Sequence, residues 1–398
     1  MVRKRMDKKL IYFDNAATSG PKPDSVIEAV CDCLRNANAN PGRSAHSLSI
    51  KAAEIIYRTR ELIGELFHFS HTENIVLTKN ATEALNIAIY GTLKSGDEVV
   101  TSSMEHNSVL RPLNHLKNKG IIELKIIKAD ANGVILPQQI KESITDKTRL
   151  VVITSASNVI GTKMNLAEIY EIVHAAGAKL LVDGAQGAGS MKIDLGKTPF
   201  DLLALTGHKH LFGPQGTGAL IVKNADELDS FMRGGTGSLS EKIVHPDFPP
   251  DKFEAGTLNT PGYAGLAAGI KLILKKGIKN IIDREHELLQ HLLDKLLGIE
   301  EIEVYAPYID RVGIVSFNIK GVAASEVSHY LDTEWGICTR PGLHCAPEAH
   351  KTIGTFPKGT VRFSLSSLNT AEEIDIAVHA LKSYIGKSLK TTCNSAEN

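Results

Sequence analysis

The sequence has no excess of either charge over its 398 residues, because lysine and arginine together number 45 and aspartate and glutamate also number 45. Proteins that hold a nucleic-acid backbone or an anionic membrane surface usually carry a basic excess. Uninterrupted apolar runs of the roughly 20 residues that span a bilayer are also missing. The composition therefore predicts a protein that binds neither nucleic acid nor membrane.

No secretory leader is recognisable, since the basic cluster at residues 3–9 is not followed by the apolar core of a signal peptide. Cysteine is scarce, and its five positions are scattered: Cys31, Cys33, Cys338, Cys345 and Cys393. An odd number without a secretory signal argues against a disulfide framework. We therefore predict a soluble, cytoplasmic protein whose thiols are mostly small core hydrophobes.

Short apolar runs alternate with helical patterns from about residue 72 to residue 222. The predicted strands cover residues 74–78, 98–101, 122–128, 150–154, 180–182, 202–205 and 219–222, and helices are predicted over 82–93 and 166–176. Continuous Val/Ile/Leu runs separated by helices are typical of a largely parallel sheet with both faces covered. The last two strands, joined by a loop containing Gly213 and Pro214, could break the parallel order.

The pattern changes after about residue 260. A helical stretch over 264–297, broken near Gly277, is followed by strands at 312–319 and 360–365 and a helix over 371–385. We predict an α/β fold with two domains. Residues 15–260 would form a large domain around a mostly parallel central sheet, and residues 1–14 and 261–398 a smaller α+β domain.

Polar residues follow the ends of successive predicted strands, where ligands bind in α/β sheets. These segments are residues 79–82, 105–107, 157–158, 183–186 and 206–209. Each segment alone can be explained by a purely structural role, since an Asp after a strand often lies in a turn or caps a helix and a His–Lys pair usually lies in a solvated loop. Their repetition at neighbouring strand ends instead predicts one shared site.

The set matches what pyridoxal 5'-phosphate (PLP) requires: a lysine for a Schiff base, a carboxylate that keeps the pyridine nitrogen protonated, and a phosphate cradle. Lys209 supplies the amine and Asp183 the carboxylate. Gln186 could donate to the phenolic oxygen, and His106 could stack on the ring. PLP is therefore the cofactor we predict.

The phosphate is expected at a helix N-terminus, where free backbone N–H groups and the helix dipole favour an anion. The helix that begins near Ala81 and Thr82 provides one, and the side chains of Thr206 and His208 would add donors.

These stretches make the sequence resemble the class V aminotransferase family of fold-type I PLP enzymes, and within it the cysteine desulfurases and selenocysteine lyases. The resemblance is carried by residues 12–18, 80–86, 105–108, 158–162, 182–186, 207–209 and 362–364. It implies the roles already given to Lys209, Asp183 and His106. It also implies that Asn158 lies near cofactor and substrate, and that Arg362 holds the substrate α-carboxylate, a task that suits a bidentate guanidinium.

The resemblance has implications for loops and partners too. The family loop that matches residues 253–257, including Thr257, reaches the phosphate site of the partner subunit, which implies a homodimer. Residues 15–18, with Ala17, and residues 43–46, from Arg43 to His46, would be substrate-side loops. L-cysteine or selenocysteine is implied as substrate, and a small protein as sulfur acceptor.

Cys345 is the residue that favours a desulfurase. Segment 340–347 resembles the loop that carries the persulfide-forming cysteine, and its two prolines and one glycine favour a loop over a core strand. We expect an accessible thiol there, with Arg340 and His344 as cationic neighbours that favour the thiolate. The predicted activity is conversion of L-cysteine to L-alanine with the sulfur held on Cys345.

Several alternatives stay open. Residues 348–355 differ from the best-known desulfurases, so selenocysteine lyase, another C–S lyase, an aminotransferase and a racemase remain candidates. A metal-binding sulfur carrier is a further one, with His344, Cys345 and His350 as ligands. The spacing lacks the paired form of structural zinc sites, and no metal is expected.

Overall fold

The computed structural model describes residues 10–42 and 44–396, with side chains up to residue 387. Within that part of the chain, the strands are β1 (Ile11–Tyr12), β2 (Ile75–Thr78), β3 (Asp97–Ser102), β4 (Ile122–Ile127), β5 (Thr148–Thr154), β6 (Lys179–Asp183), β7 (Leu202–Thr206), β8 (Gly218–Val222), β9 (Ile302–Val304), β10 (Ile314–Ile319), β11 (Ile337–Cys338), β12 (Arg340–Gly342) and β13 (Thr360–Ser364). The helices are α1 (Asp24–Asn36), α2 (Ser47–Phe67), α3 (Ala81–Thr92), α4 (Asn107–Asn118), α5 (Pro137–Ser143), α6 (Leu166–Ala175), α7 (Thr260–Lys276), α8 (Ile278–Leu297), α9 (Ala324–Trp335), α10 (Pro347–Thr352) and α11 (Ala371–Ala396). None of the helices in these ranges combines the length and the apolar character needed to cross a membrane.

Seven strands form the central sheet, in the order β2-β8-β7-β6-β5-β3-β4. Neighbouring strands are parallel except at β8, which runs antiparallel to both β7 and β2. The prediction of a mostly parallel α/β sheet is confirmed. The antiparallel strand is β8, which is the last strand of this sheet in chain order. Parallel neighbours need a crossover of about a dozen residues or more, which is usually a helix. The loop between β7 and β8 holds no helix, so these two strands pair antiparallel.

Both faces of this sheet are covered, which explains its continuous apolar strands. Along β5, Leu150 and Val152 belong to one buried cluster, whereas Val151 and Ile153 belong to another. Successive side chains of a strand point to opposite faces, so the strand contributes to two cores. The carboxyl ends of the strands remain as the edge where polar side chains can gather.

A second, smaller sheet is antiparallel, with the order β12-β13-β10-β9, and packs with α8, α9 and α11. Ile11 and Phe13 belong to its core, and β1 pairs with β11. α7 instead packs against α1 and α2, and its Leu266 and Ile270 share a core with the central sheet. The sequence pattern placed this helix in the smaller domain, because helical periodicity does not reveal the surface on which a helix packs.

A buried ion pair anchors the segment that leads to Thr257. Arg60 Nη2 lies 2.5 Å from Glu254 Oε2, and the N–H of Leu77 donates to Glu254 Oε1 over 2.6 Å. The two charged side chains are only 10% and 6% exposed. Because little water reaches either group, removing one partner would leave the other charge uncompensated.

Replacing Arg60 with methionine should therefore lower the free energy of unfolding by about 3–5 kcal/mol. Urea denaturation of both proteins would measure the difference. The solvent-exposed pair Arg58–Glu61 on the same helix supplies the control, since Arg58→Met should cost less than about 1 kcal/mol. Equal losses in the two variants would contradict the prediction.

Candidate active site

A cavity of about 200 Å³ lies between the carboxyl edge of the central sheet and residues of the smaller sheet. β5, β6 and β7 end there at Thr154, Asp183 and Thr206, and Arg340 and Arg362 line it from β12 and β13. The structure brings most of the predicted site residues together here: Ala17, Ala81, Thr82, His106, Asn158, Asp183, Gln186, Thr206, His208, Lys209 and Arg362. The roles of these side chains follow from their surroundings.

Asp183 and Lys209 share this cavity, and their charges act on each other. Burial lowers the pKa of Lys209 to about 8, and the Asp183 carboxylate only partly offsets that effect. Burial raises the pKa of Asp183, while a hydrogen bond from the N–H of Ala185 (2.9 Å) and the charge of Lys209 act in the opposite direction. A carboxylate and an amine with a depressed pKa therefore lie in one water-poor site, an arrangement typical of active sites.

The depressed pKa of Lys209 predicts how its reaction with an aldehyde depends on pH. Only the neutral amine is a nucleophile, so the rate of Schiff-base formation should rise with pH up to about 8 and then level off. An ordinary lysine would keep gaining reactivity to above about pH 10. Mixing the cofactor-free protein with PLP over a pH series, and following the absorbance, measures this rate. A rate that still climbs well above pH 8 would contradict the burial of the amine.

One end of the cavity suits a phosphate. α3 begins there at Ala81, and the N–H groups of a first helical turn have no partner within the helix. Thr82 Oγ1 lies 2.8 Å from Ser108 Oγ, a neighbour that the sequence did not predict. Thr206 Oγ1 and His208 Nδ1 are buried without a hydrogen-bond partner among the described residues. Because such unpaired buried atoms are rare, these groups fit a phosphate that accepts their hydrogen bonds.

His106 and Gln186 line the cavity between these groups. His106 caps α4, where its Nδ1 accepts the N–H of Ser108 over 3.1 Å. Burial, followed by the charge of Lys209, lowers the pKa of His106 to about 4, so its ring is neutral at physiological pH and suited to stack on a cationic ring. Gln186 Nε2 donates to Ala16 O over 3.1 Å, and its Oε1 has no hydrogen-bond partner among the described residues. Donation to a phenolic oxygen would use the second hydrogen of Nε2.

Arg362 is fully buried and already hydrogen-bonded inside the protein. Its Nη1 donates to Asn158 O and its Nη2 to Asp14 Oδ1, each over 2.8 Å. Burial lowers the pKa of Arg362 to about 10 in spite of the Asp14 carboxylate, so the guanidinium stays charged at neutral pH. A guanidinium has five N–H donors, and Nε of Arg362 has no hydrogen-bond partner within the described part of the chain, so donors remain for a carboxylate. Sequence reasoning missed Asp14, because nothing local shows which arginine it meets.

Cys345 is exposed in the loop between β12 and α10, as predicted. Arg340 Nη2 approaches its Sγ to 3.4 Å and is the expected cationic neighbour. His344 is not one: its side chain is buried, and burial lowers its pKa well below the ordinary value. The prediction of a positive charge on His344 is therefore wrong. Its ring turns into the core, where Nε2 lies 3.1 Å from Thr360 Oγ1.

The Cys345 thiol lies beside the cavity and not within it. It lines an adjacent groove, together with Thr82, His106 and Ser108, and these three also line the cavity. His344 and Cys345 both have positive φ, 49° and 60°. That left-handed region costs a residue other than glycine about 1–2 kcal/mol, so the surrounding contacts must hold this loop in place.

Two predicted substrate or cofactor positions, His46 and Thr257, do not line the cavity. His46 is exposed and caps α2, where its Nδ1 accepts the N–H of Ser49 over 3.2 Å. Thr257 is also exposed and lies 3.5 Å from Asn40 Nδ2. Arg43 lies outside the described residues. Neither side chain therefore belongs to the cavity that the other predicted site residues share.

The metal-binding alternative has no support in the Cys345 loop. Within the described residues, no group of three or more histidine, cysteine, aspartate or glutamate side chains is placed to hold a metal ion. The rings of His344 and His350 lie 5.3 Å apart, but both are buried and bonded to threonines. Cys345 instead faces solvent.

Comparison with known proteins identifies the class to which this fold and site belong. Residues 11–376 match the family model described as aminotransferase class-V. The chain therefore belongs to the class V aminotransferase family, as its strand-end motifs predicted.

Similar proteins within that family are cysteine desulfurases. A probable cysteine desulfurase from Methanothermobacter thermautotrophicus is 38% identical over 94% of this chain and 95% of its own length. A cysteine desulfurase from Escherichia coli O127:H6 is 34% identical over 94% of this chain and 93% of its own length. The apo structure of a cysteine desulfurase from Thermococcus onnurineus NA1 has a TM-score of 0.88 and 33% identity, with 95% of each chain covered. The S-sulfonic acid form of the cysteine desulfurase CsdA from Escherichia coli has a TM-score of 0.86 and 26% identity, covering 97% of this chain and 98% of that one.

Proposed function

We propose that this protein is a PLP-dependent cysteine desulfurase, which converts L-cysteine into L-alanine and carries the sulfur as a persulfide on Cys345. One observation carries the proposal: the cavity that contains Asp183 and Lys209 adjoins an exposed thiol with an arginine 3.4 Å from its sulfur. Similarity to cysteine desulfurases over more than nine-tenths of the chain supports it.

The residues of the cavity suit PLP at each of its functional groups. Bound PLP would supply an electron sink for a carbanion at the substrate Cα. Lys209 would hold it as a Schiff base, and Asp183 would keep its ring nitrogen protonated. The N-terminus of α3, with Thr206 and His208, would bind its phosphate.

Arg362 would bind the substrate carboxylate with the N–H groups that Asn158 and Asp14 do not use. Those two contacts hold the guanidinium in place, so a carboxylate would be bound without reorganisation of the arginine. Lys209, whose pKa is lowered to about 8, has a substantial neutral fraction at physiological pH and would remove the proton from the substrate Cα.

Cys345 would then take the sulfur. The Arg340 guanidinium lies 3.4 Å from its Sγ, and a thiolate is the nucleophilic form of a cysteine. A bond forms between Cys345 Sγ and the substrate sulfur as the Cβ–S bond breaks. The electron pair of that bond stays with the three-carbon product, which takes up a proton and leaves as alanine.

The proposal extends to the partners that the family resemblance implies. We include a cytoplasmic homodimer in which each Thr257 approaches the phosphate site of the other subunit. The exposure of Thr257, on a segment anchored through Glu254, leaves it accessible for such a contact. A small acceptor protein would then remove the sulfur from Cys345.

The visible spectrum of the purified protein with and without L-cysteine, combined with an alanine assay, tests the proposal. A yellow protein whose spectrum changes on addition of L-cysteine, and that releases alanine, would support it. Parallel assays with L-selenocysteine, and with L-alanine plus a keto acid, separate the lyase and aminotransferase alternatives. Turnover of the keto acid without release of sulfur from L-cysteine would refute a desulfurase.

A further inference from the structure

The backbone on either side of the Cys345 thiol is fixed by hydrogen bonds, although the thiol itself is exposed. The carbonyl of Cys345 accepts the N–H of Asn107 over 2.9 Å. The carbonyl of His344 accepts from Asn158 Nδ2 over 2.6 Å. Both donors belong to the large domain, whereas the loop follows β12 of the smaller sheet. Two consecutive carbonyls therefore tie this left-handed segment to Asn158, which lines the cavity, and to Asn107, which lines the adjacent groove.

The His344 side chain provides a third anchor. A count of the available hydrogens shows which of its ring nitrogens donates. Ser316 Oγ donates its hydrogen to Val159 O over 2.6 Å. Thr360 Oγ1 in turn donates its only hydrogen to Ser316 Oγ over 3.0 Å. Thr360 can then only accept from His344 Nε2, at 3.1 Å. Nε2 of His344 therefore carries a hydrogen, and because burial lowers the pKa of the ring well below its ordinary value, His344 is the neutral Nε2–H tautomer. Its ring is the first member of a chain of three hydrogen bonds.

This chain ends beside the residues that bind the substrate. Thr360 lies two positions before Arg362 on β13, so their side chains project from the same face of the strand. Val159, the last acceptor, follows Asn158, whose carbonyl accepts from Arg362. One rigid strand thus carries both the proposed carboxylate ligand and the acceptor for His344.

We propose that His344 is a positioning residue for sulfur transfer: its Nε2–H bond to Thr360 holds the loop so that Cys345 Sγ stays at a set distance from a substrate bound by Arg362. The catalytic consequence rests on the desulfurase function proposed above. The positioning of the Cys345 loop does not rest on that function, because it concerns the resting thiol and its contact with Arg340. His344 acts through Cys345 and need not touch the substrate.

Thr360→Val tests the proposal, because it keeps the shape of the side chain and removes the acceptor of the His344 bond. The kcat for sulfur transfer should fall about 100-fold, the effect of displacing a reacting group by about 1 Å. The KM for L-cysteine should change less than about twofold, since Arg362 is untouched. Alkylation of Cys345 by iodoacetamide, followed by mass spectrometry, should slow severalfold as the sulfur moves out of its 3.4 Å contact with Arg340. Thr360→Ser, which keeps the hydroxyl, should restore wild-type values.

Thr59→Val is the matched control. Thr59 is as buried as Thr360, and its hydroxyl donates to Ile55 O over 2.7 Å on α2, away from the cavity. This variant should lose similar stability but keep kcat and the alkylation rate. Equal loss of kcat in both variants would mean that Thr360 acts only through stability, and would overturn the proposal.

His344→Gly separates the ring from the backbone conformation. Glycine adopts positive φ readily but cannot donate to Thr360, so this variant should be as impaired as Thr360→Val. Full activity in His344→Gly would overturn the proposal, since the ring would then be dispensable. If the wild-type protein forms no persulfide, the desulfurase function fails. Alkylation of Cys345 in the same variants would still decide whether His344 positions the thiol.

Discussion

Replacing Lys209 with alanine is expected to lower alanine formation from L-cysteine by about 1,000-fold or more. The change removes both the amine that would hold PLP and the base that would move the Cα proton. The absorbance of the Schiff base should disappear, leaving that of free or loosely held PLP. Stability should not fall, because a buried lysine with a depressed pKa is unfavourable for folding.

Lys22→Met is the matched control for this experiment. Burial lowers the pKa of Lys22 to about 8 as well, and its Nζ donates to Ser19 Oγ and His208 O at 2.7 and 2.9 Å. It does not line the cavity. We expect Lys22→Met to keep the Schiff-base absorbance. A Lys209→Ala protein that keeps this absorbance would show that another lysine holds the cofactor.

Replacing Cys345 with alanine should leave the cofactor spectrum intact and abolish persulfide formation. Removing the nucleophile removes the whole covalent step, so transfer of sulfur should drop by about 1,000-fold or more. The fold should be unaffected, because the side chain is exposed and alanine tolerates positive φ no worse than cysteine does. Mass spectrometry after incubation with L-cysteine detects the added sulfur atom.

Cys31→Ala controls for the loss of a thiol elsewhere, since Cys31 is partly exposed on α1. It should behave as the wild-type protein in both readouts. Undiminished sulfur transfer by Cys345→Ala would show that Cys345 is not the carrier. The residues of the cavity around Asp183 and Lys209 would then have to support a different reaction.

The pattern of the sequence predicted the central sheet well, and the physical reason is burial. Strands covered on both faces consist of continuous Val/Ile/Leu runs, which local inspection detects. Polar residues at the ends of such strands, such as Asp183 and Lys209, stand out against the apolar run before them. Because parallel strands bring their carboxyl ends to one edge, the order along the chain was enough to predict a common cavity.

Other features could not be read from local pattern. α7 has the same helical periodicity whether it packs on the central sheet or on the smaller one, and it proved to share the core of the central sheet. Asp14 and Arg362 are far apart in the chain yet form a 2.8 Å contact. His344, taken as a cationic neighbour of Cys345, is neutral because its ring is buried against Thr360. Each of these depends on which distant segment packs nearby.

The sequence by itself therefore determined the α/β architecture, the family, and the residue types that meet at the strand ends. Those follow from hydrophobic burial and strand order, which are encoded locally. Only the tertiary structure decided the charge of His344, the partner of Arg362 and the position of the Cys345 thiol beside the cavity. Protonation and hydrogen bonding depend on the distance to groups elsewhere in the chain and on how much water remains between them. Both quantities are set only when the central sheet and the smaller sheet pack together.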